Sequence, residues 1–176
     1  MCIRDSYQEE ARISETPDPN YPTRYSQQGN LVALSGDGST ILVGTDGGLR
    51  LIYGYASGSW NLQASISMQN NYTYSGQKTY AALSSDGNTA VISFVNGLIP
   101  GDVFIYNRSN GNWNQTTRLA GQGVDNNNFG SSVAISGDGA TVAVGCPYGV
   151  TGNPKGNVFV FRLSNGTWSQ SALLYL

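Results

Sequence analysis

The sequence has no histidine and few charged residues, and these two shortages exclude most catalytic chemistry. Histidine is absent from all 176 residues, which removes the usual general base, the commonest metal ligand and every Ser–His or Cys–His pair. Charged residues make up only 11% of the chain, about half the usual share. The glutamates, Glu9, Glu10 and Glu15, all lie near the N-terminus, so no carboxylate pair for glycoside chemistry is indicated. We therefore predict no catalytic residues, no metal and no cofactor.

Long apolar runs, a basic surplus and a cysteine framework are also missing. The net charge of -2 provides no electrostatic attraction for the phosphates of nucleic acid. No apolar run approaches the roughly 20 residues that a membrane helix needs. Cys2 and Cys146 are the only cysteines, so disulfides do not supply the stability. Cys146 follows an apolar segment and is predicted to be a small buried hydrophobe. We expect neither nucleic acid nor membrane insertion.

An acidic turn is present three times. Asp37, Asp86 and Asp138 each lie in a Gly-Asp-Gly or Ser-Asp-Gly sequence. A threonine stands three residues after each aspartate, and short apolar segments lie on both sides. Two apolar segments around such a turn predict a β-hairpin. The aspartates are interpreted as turn formers, because Asp bonds its own backbone in tight turns.

Tryptophan marks the second half of each unit. Trp60, Trp113 and Trp168 each follow an aromatic residue by seven positions and a glycine by two. These spacings predict a third strand that ends in a tight turn, and a fourth strand that begins at the tryptophan. We expect one buried tryptophan in each unit to anchor the packing of sheet on sheet. Four strands in about 50 residues is the length of a propeller blade.

The sequence thus predicts an all-β fold, a partial β-propeller with about three four-stranded antiparallel blades plus a truncated N-terminal blade strand. Tyr7 to Ile13 match a fourth strand, with Tyr7 in the tryptophan position. About three blades cannot close a ring, so we expect an open arc with apolar ends, cut from a longer protein whose missing blades are its partners. The predicted division is 1–6 as a non-native extension, 7–28 as the truncated strand and its loop, 29–67 as blade A, 68–120 as blade B and 121–176 as blade C.

The third unit resembles the FG-GAP repeat of integrin-α-like β-propellers. Phe129-Gly130 matches the FG element, and Gly145-Cys146-Pro147 matches GAP with cysteine for alanine. The resemblance implies a seven-bladed parent propeller with an adhesion or ligand-binding role. Family blades that hold Ca²⁺ use several carboxylates in the loop between the first two strands. Here Asp138 stands alone among Ala134, Ser136 and Val142, too few acids for such a site.

Loop lengths predict where a ligand would bind. In an up-and-down sheet the connections between strands 2 and 3 and those between blades share one rim. The connections between strands 2 and 3 vary in length, whereas the turns of the other rim do not. Function lies preferentially on variable loops held by a rigid scaffold, and Tyr and Asn suit such contacts. The alternative at each position is an ordinary solvated loop residue. The candidate ligand-binding residues are Asn71, Tyr72, Tyr74, Asn96, Asn126, Asn127, Tyr148, Asn153 and Lys155, with Asn128 beside them.

Three functions remain open from the sequence. The leading one is an extracellular or cell-surface binding propeller that recognises protein or glycan. The second is the propeller domain of a polysaccharide-active enzyme whose catalytic residues lie in missing blades. The third is a structural spacer in a large surface protein.

Overall fold

The described part of the chain consists of twelve strands joined by turns. The computed structural model describes residues 28–45, 49–67, 78–95, 101–121, 128–147 and 156–175, and it contains no helix in those ranges. The predicted truncated strand at Tyr7 to Ile13 lies outside them. The strands are β1 Gln28–Leu34, β2 Thr40–Thr45, β3 Leu49–Ala56, β4 Ser59–Ser67, β5 Lys78–Leu83, β6 Thr89–Val95, β7 Asp102–Ser109, β8 Asn112–Leu119, β9 Ser132–Ile135, β10 Thr141–Cys146, β11 Asn157–Ser164 and β12 Thr167–Tyr175.

These strands form three separate antiparallel sheets of four. Blade A contains β1 to β4, blade B contains β5 to β8 and blade C contains β9 to β12, each in sequential order. Every pairing is between neighbours in the chain, so each blade is an up-and-down meander. The prediction of an all-β partial propeller with three four-stranded blades is confirmed.

The two faces of a blade carry different side chains, because successive residues of a strand point to opposite faces. One face, here called the aromatic face, carries the third-strand aromatic residue and the tryptophan. The opposite, aliphatic face carries small and branched side chains. In blade B the aromatic face includes Leu83, Ile92, Phe104, Tyr106 and Trp113, and the aliphatic face includes Ala82, Val91, Val103, Ile105 and Leu119.

The blades pack with one polarity. The aromatic face of blade B covers the aliphatic face of blade A, including Leu42 and Ile52. The aromatic face of blade C, including Phe159 and Phe161, covers the aliphatic face of blade B. Blades B and C therefore each bury the aromatic face against the blade before it.

The expectation that the tryptophans are the buried anchors of the core is wrong. Trp60, Trp113 and Trp168 are each only half-buried and lie at the margins of the apolar clusters. Apart from Phe129, which precedes β9, the largest fully buried side chains lie on the second and third strands, for example Ile92, Ile105 and Phe159. The reason is topological: the fourth strand is the outer edge of each sheet, whereas the second and third strands have a paired strand on both sides.

Candidate functional site

The connections at the two rims differ in how much they vary. At one rim, five residues join the first two strands in every blade, namely 35–39, 84–88 and 136–140, and two join the last two strands, namely 57–58, 110–111 and 165–166. At the other rim, the link between the second and third strands grows from 46–48 to 96–101 and then to 147–156. We call these the fixed rim and the variable rim. The structure confirms that the length variation falls on one rim only.

The five-residue turns of the fixed rim share one hydrogen-bond pattern. In blade B, Ser84 Oγ donates to Asp86 Oδ1 over 2.6 Å and accepts the Thr89 amide over 3.0 Å. The Asn88 amide donates to the same carboxylate over 3.0 Å. The turns at Asp37 and Asp138 repeat these bonds. The interpretation of the three aspartates as turn formers is confirmed.

These hydrogen bonds also set the electrostatics of the fixed rim. The pKa of Asp86 is lowered chiefly by the Ser84 hydroxyl and then by the Asn88 amide. The pKa values of Asp37 and Asp138 are lowered in the same way, by Ser35 and Ser136. Each aspartate is thus held as a carboxylate that accepts local donors. Within the described ranges, no group of three acidic, histidine or cysteine side chains is placed to hold a metal ion.

The turns of the fixed rim also join one blade to the next. The Asp37 amide donates to the Ser85 carbonyl over 2.8 Å, and the Ser85 amide donates to the Gly137 carbonyl over 2.9 Å. Gly87 has a φ of +63°, and a Cβ there would meet the Thr40 side chain of blade A. The turns of the fixed rim therefore connect each pair of neighbouring blades by a backbone hydrogen bond.

The FG and GAP residues of blade C hold the boundary with blade B. Phe129 is buried and packs edge-on against Phe159, with ring centroids 5.2 Å apart. Ser93 Oγ of blade B donates to the Gly130 carbonyl over 2.6 Å, and the Gly130 amide donates to the Gly145 carbonyl over 3.0 Å. The motif thus serves blade packing here.

Cys146, in the GAP position, is a buried thiol, as predicted. Burial raises its pKa, so the thiol stays protonated at neutral pH and is a poor nucleophile. This position also contributes to blade packing rather than to chemistry, since Cys146 belongs to the apolar cluster between blades B and C.

The predicted ligand-binding residues lie outside the described residues. This holds for Asn71, Tyr72, Tyr74, Asn96, Asn126, Asn127, Tyr148, Asn153 and Lys155, so their assignment stays a prediction. Asn128, next to them, is described. It has a φ of +64° and its carbonyl accepts the Ser131 hydroxyl over 2.7 Å, which makes it a turn residue.

Arg50 is a feature of the variable rim that the sequence reasoning missed. It lies on β3, directly after the 46–48 link, and is buried between blades A and B. Its guanidinium donates to the Leu49 carbonyl over 2.7 Å and to the Thr79 hydroxyl. It also lies over the Phe94 ring, 5.6 Å from the centroid. The other two repeats have Val103 and Val158 at this position, so a cation at an aliphatic position was the signal available in the sequence.

Repeated four-stranded sheets that pack face to face define this chain as a β-propeller-type repeat protein. Residues 113–161 match the family model of the FG-GAP repeat, so the chain contains an FG-GAP repeat and the predicted resemblance is confirmed there. The matched segment begins at the fourth strand of blade B and ends on the third strand of blade C. The sequence repeat therefore bridges two blades, consistent with its role in joining them.

Three solved structures, one of them a WD40 domain, share this fold at low sequence identity. A protein assigned as a 6-phosphogluconolactonase from Bacteroides uniformis matches with a TM-score of 0.56 at 14% identity, over 91% of this chain and 44% of its own. Sqt1 from Saccharomyces cerevisiae matches with a TM-score of 0.54 at 12% identity, over 83% of this chain and 35% of its own. The C-terminal WD40 domain of Sif2 matches with a TM-score of 0.57 at 13% identity, over 85% and 37%.

This chain therefore spans less than half the length of each of those structures, and the likeness concerns the fold alone. A search of curated protein sequences finds no match. Within the described residues, no helix has the length and apolar character needed to cross a membrane.

Proposed function

We propose that this chain is part of a non-catalytic binding or adhesion β-propeller that recognises protein or glycan through the variable rim. The observation that carries the proposal is the contrast between the rims. Every turn of the fixed rim has the same length in all three blades, whereas the links at the other rim range from three residues at 46–48 to ten at 147–156. A scaffold needs the first kind of connection, and a recognition surface uses the second.

The contacts of the fixed rim support this division. Its carboxylates and serine hydroxyls are engaged in the turns, and its backbone amides join neighbouring blades. A ligand at that rim would compete with bonds that hold the blades together. At the variable rim, Arg50 is likewise buried and engaged by Leu49 and Thr79, so the proposed ligand contacts lie on the longer links of that rim.

The proposed setting follows from the same role. We propose that the protein lies outside the cell or at its surface, where protein and glycan ligands occur. Its partners within the propeller would be further blades of a parent chain. The net charge of -2 argues against nucleic acid as the ligand.

A loop graft tests the proposal. Blade A joins its second and third strands with only Asp46-Gly47-Gly48, which provides a native short link for the other blades. Replacing 96–100 and 148–155 with this tripeptide removes the long links and keeps the blade pattern. We expect binding to a glycan array and to immobilised matrix proteins to be lost, while circular dichroism and the melting temperature stay near those of the wild type.

Ser57→Asn is the control at the fixed rim. It converts the Ser57-Gly58 turn into the Asn-Gly turn that the other two blades use at 110–111 and 165–166. Binding should be unaffected by this change. Binding that survives the loop graft, or no binding by the wild-type chain to either probe, would count against the proposal.

An enzymatic role is the second candidate, because one structural neighbour carries the name of a lactonase. In this candidate the catalytic residues lie in further blades of a parent chain, so hydrolysis of a polysaccharide by the full-length parent would support it over pure binding. A structural spacer is the third, and it predicts that neither probe binds and that the graft has no effect.

A further inference from the structure

The sequence contains four Asn-x-Ser/Thr tripeptides, the acceptor pattern for N-linked glycans. They begin at Asn71, Asn107, Asn114 and Asn165, and the last three lie within the described residues. In a folded chain such a tripeptide accepts a glycan where it lies on the surface, with the asparagine amide and the hydroxyl two residues later both accessible. The structure separates the three described tripeptides by this criterion.

Two of the three tripeptides are engaged in contacts within blade B. Asn107 is half-buried, and its amide nitrogen donates to the Thr89 hydroxyl over 3.0 Å while its amide oxygen accepts the Thr116 hydroxyl over 2.7 Å. Thr116 is itself the hydroxyl residue of the tripeptide at Asn114, and it also donates to the Ile105 carbonyl over 3.3 Å. Neither tripeptide therefore presents both an unengaged amide and an unengaged hydroxyl.

The third tripeptide, Asn165-Gly166-Thr167, lies at the tight turn between the last two strands of blade C. Asn165 has a φ of +49° and Gly166 a φ of +76°, and the Asn165 and Thr167 residues are both exposed. In the part of the chain that the structure describes, neither of these two side chains takes part in a hydrogen bond. Both groups that an oligosaccharyl transferase recognises are therefore open to solvent.

The equivalent turn of blade B shows that this exposure belongs to the turn itself. Blade B packs against a neighbouring blade on both faces, and its turn at Asn110 and Gly111 is exposed as well. A Cβ added at Gly111 or at Gly166 would meet nothing within 4 Å. The tips of these turns therefore stand clear of the neighbouring blades.

We propose that Asn165 carries an N-linked glycan at the fixed rim, an inference that rests on the extracellular setting proposed above. The donor is a lipid-linked diphospho-oligosaccharide, supplied with its transferase by the secretory pathway. The bond from the anomeric carbon of the sugar to the diphosphate oxygen breaks, and that carbon forms a bond to Asn165 Nδ2. The nitrogen loses a proton, and the lipid diphosphate leaves.

A glycan at this position is compatible with recognition at the variable rim. Asn165 and the 147–156 link lie at opposite ends of β11, which has eight residues and is therefore about 25 Å long. At the fixed rim the aspartates and serines already bond within the turns. The glycan would cover that rim and leave the links proposed to bind the ligand free.

Mapping of the modified site by mass spectrometry tests the inference. The full chain is directed through the secretory pathway of a eukaryotic host, and an amidase then converts each glycosylated asparagine to aspartate in heavy-oxygen water, which labels the site. We expect the label at Asn165, its loss in Thr167→Ala, and its retention in Thr167→Ser, which keeps the hydroxyl. An unlabelled Asn165, or a label that survives Thr167→Ala, would overturn the proposal.

Blade B provides a matched gain of function. Its turn has the same conformation, with a φ of +50° at Asn110 and +79° at Gly111, but Asn112 stands where blade C has Thr167. Asn112→Thr should therefore add a label at Asn110, whereas the control Asn112→Ala should not. An Asn110 that stays unlabelled in Asn112→Thr would contradict the assignment of acceptor capacity to this turn.

A second route keeps the test open if the host retains the chain. The purified, folded protein is then incubated with a transferase and its lipid-linked donor, and the same label is expected at Asn165. An unlabelled Asn165 in this reaction overturns the proposal as well.

Binding measurements separate this inference from the proposed function. Wild type and Asn165→Gln should bind equally to the glycan array and to the matrix proteins, and a difference would contradict the placement of the glycan away from the ligand. Binding without a label at Asn165 refutes this inference alone. A labelled Asn165 without binding refutes the proposed function alone.

Discussion

At the residue scale, the serine and aspartate of each fixed-rim turn act as one unit. Ser84 is buried, and its hydroxyl donates a hydrogen bond to Asp86 and accepts one from the Thr89 amide. An unpaired buried amide costs about 1–3 kcal/mol, so the serine hydroxyl stabilises the turn from inside. The aspartate carboxylate accepts a further turn amide on the side of the turn that solvent reaches.

The lowered aspartate pKa values predict an acid-sensitive fold. Because the folded values lie below the ordinary value of 3.8, this stabilisation is present above that pH and is lost as the pH falls through the folded values. We expect urea midpoints to drop as the pH falls below the ordinary aspartate value of 3.8. The triple variant Asp37→Asn, Asp86→Asn and Asp138→Asn should be less stable at pH 7 and should lose much of this acid dependence.

Hydrogen bonding, rather than long-range charge, is the main cause of those shifts. The acid dependence of the wild type should therefore persist in high salt, which screens exposed charge pairs. An unchanged pH profile in the triple variant would refute the assignment.

At the scale of strands and turns, each blade contains the same irregularity. The pairing of the third and fourth strands shifts by one residue after Ile52, Ile105 and Val160. The extra residue is polar in every case: Gln63, Thr116 and Ser171. The Thr116 and Ser171 hydroxyls donate hydrogen bonds to the third-strand carbonyls of Ile105 and Val160. Gln63 accepts a hydrogen bond from the Trp113 indole N–H of the next blade over 3.2 Å.

The fixed-rim turn also sets the distance between neighbouring sheets. Two glycines allow this effect to be measured apart from the effect of a positive φ. Gly87 and Gly111 both have positive φ, but a Cβ at Gly87 would meet Thr40 of blade A whereas one at Gly111 would meet nothing within 4 Å. We expect Gly111→Ala to cost about 1–2 kcal/mol from conformation alone. Gly87→Ala should cost about 1–3 kcal/mol more through overpacking.

Equilibrium urea unfolding of both variants measures the difference. A rearranged Thr40 rotamer would reduce it, so Gly87→Ala combined with Thr40→Ala should recover part of the loss. Equal destabilisation by the two glycine substitutions would mean that the turn does not space the blades.

At the scale of the whole molecule, the three blades differ in how much of their surface is covered. Blade B packs on both faces, whereas blades A and C each pack on one blade only. Since a blade cannot bury both faces alone, stability in such arrays comes from neighbour contacts. The central blade should therefore open least often.

Hydrogen exchange tests this order of stability. The second strands β2, β6 and β10 hold the same place in their blades, so their amides form a matched set. We expect β6 to exchange slowest because local opening is harder where more apolar surface is buried. Faster exchange in β6 than in β2 or β10 would contradict the packing described.

The sequence by itself determined the strands, their order and the two kinds of rim. Glycine turns, apolar segments and the tryptophan spacing act locally, and neighbouring strands in a meander pair without a long-range choice. The same local chemistry predicted the turn-forming role of Asp37, Asp86 and Asp138. Arg50 stands out in the sequence because the other two repeats have valine at its position. Its contacts with Thr79 and Phe94 could not be predicted, since both residues belong to blade B.

Only the tertiary structure decided which face of each blade meets its neighbour. The alternation of side chains along each strand gives a blade two apolar faces, and either face could have packed against the preceding blade. Which face does so depends on contacts between residues far apart in the chain, such as Ile52 and Tyr106. The half-buried position of the tryptophans has the same origin, because burial depends on a strand's place in the sheet. The donor and acceptor order of the turns likewise exists only once the blades are side by side.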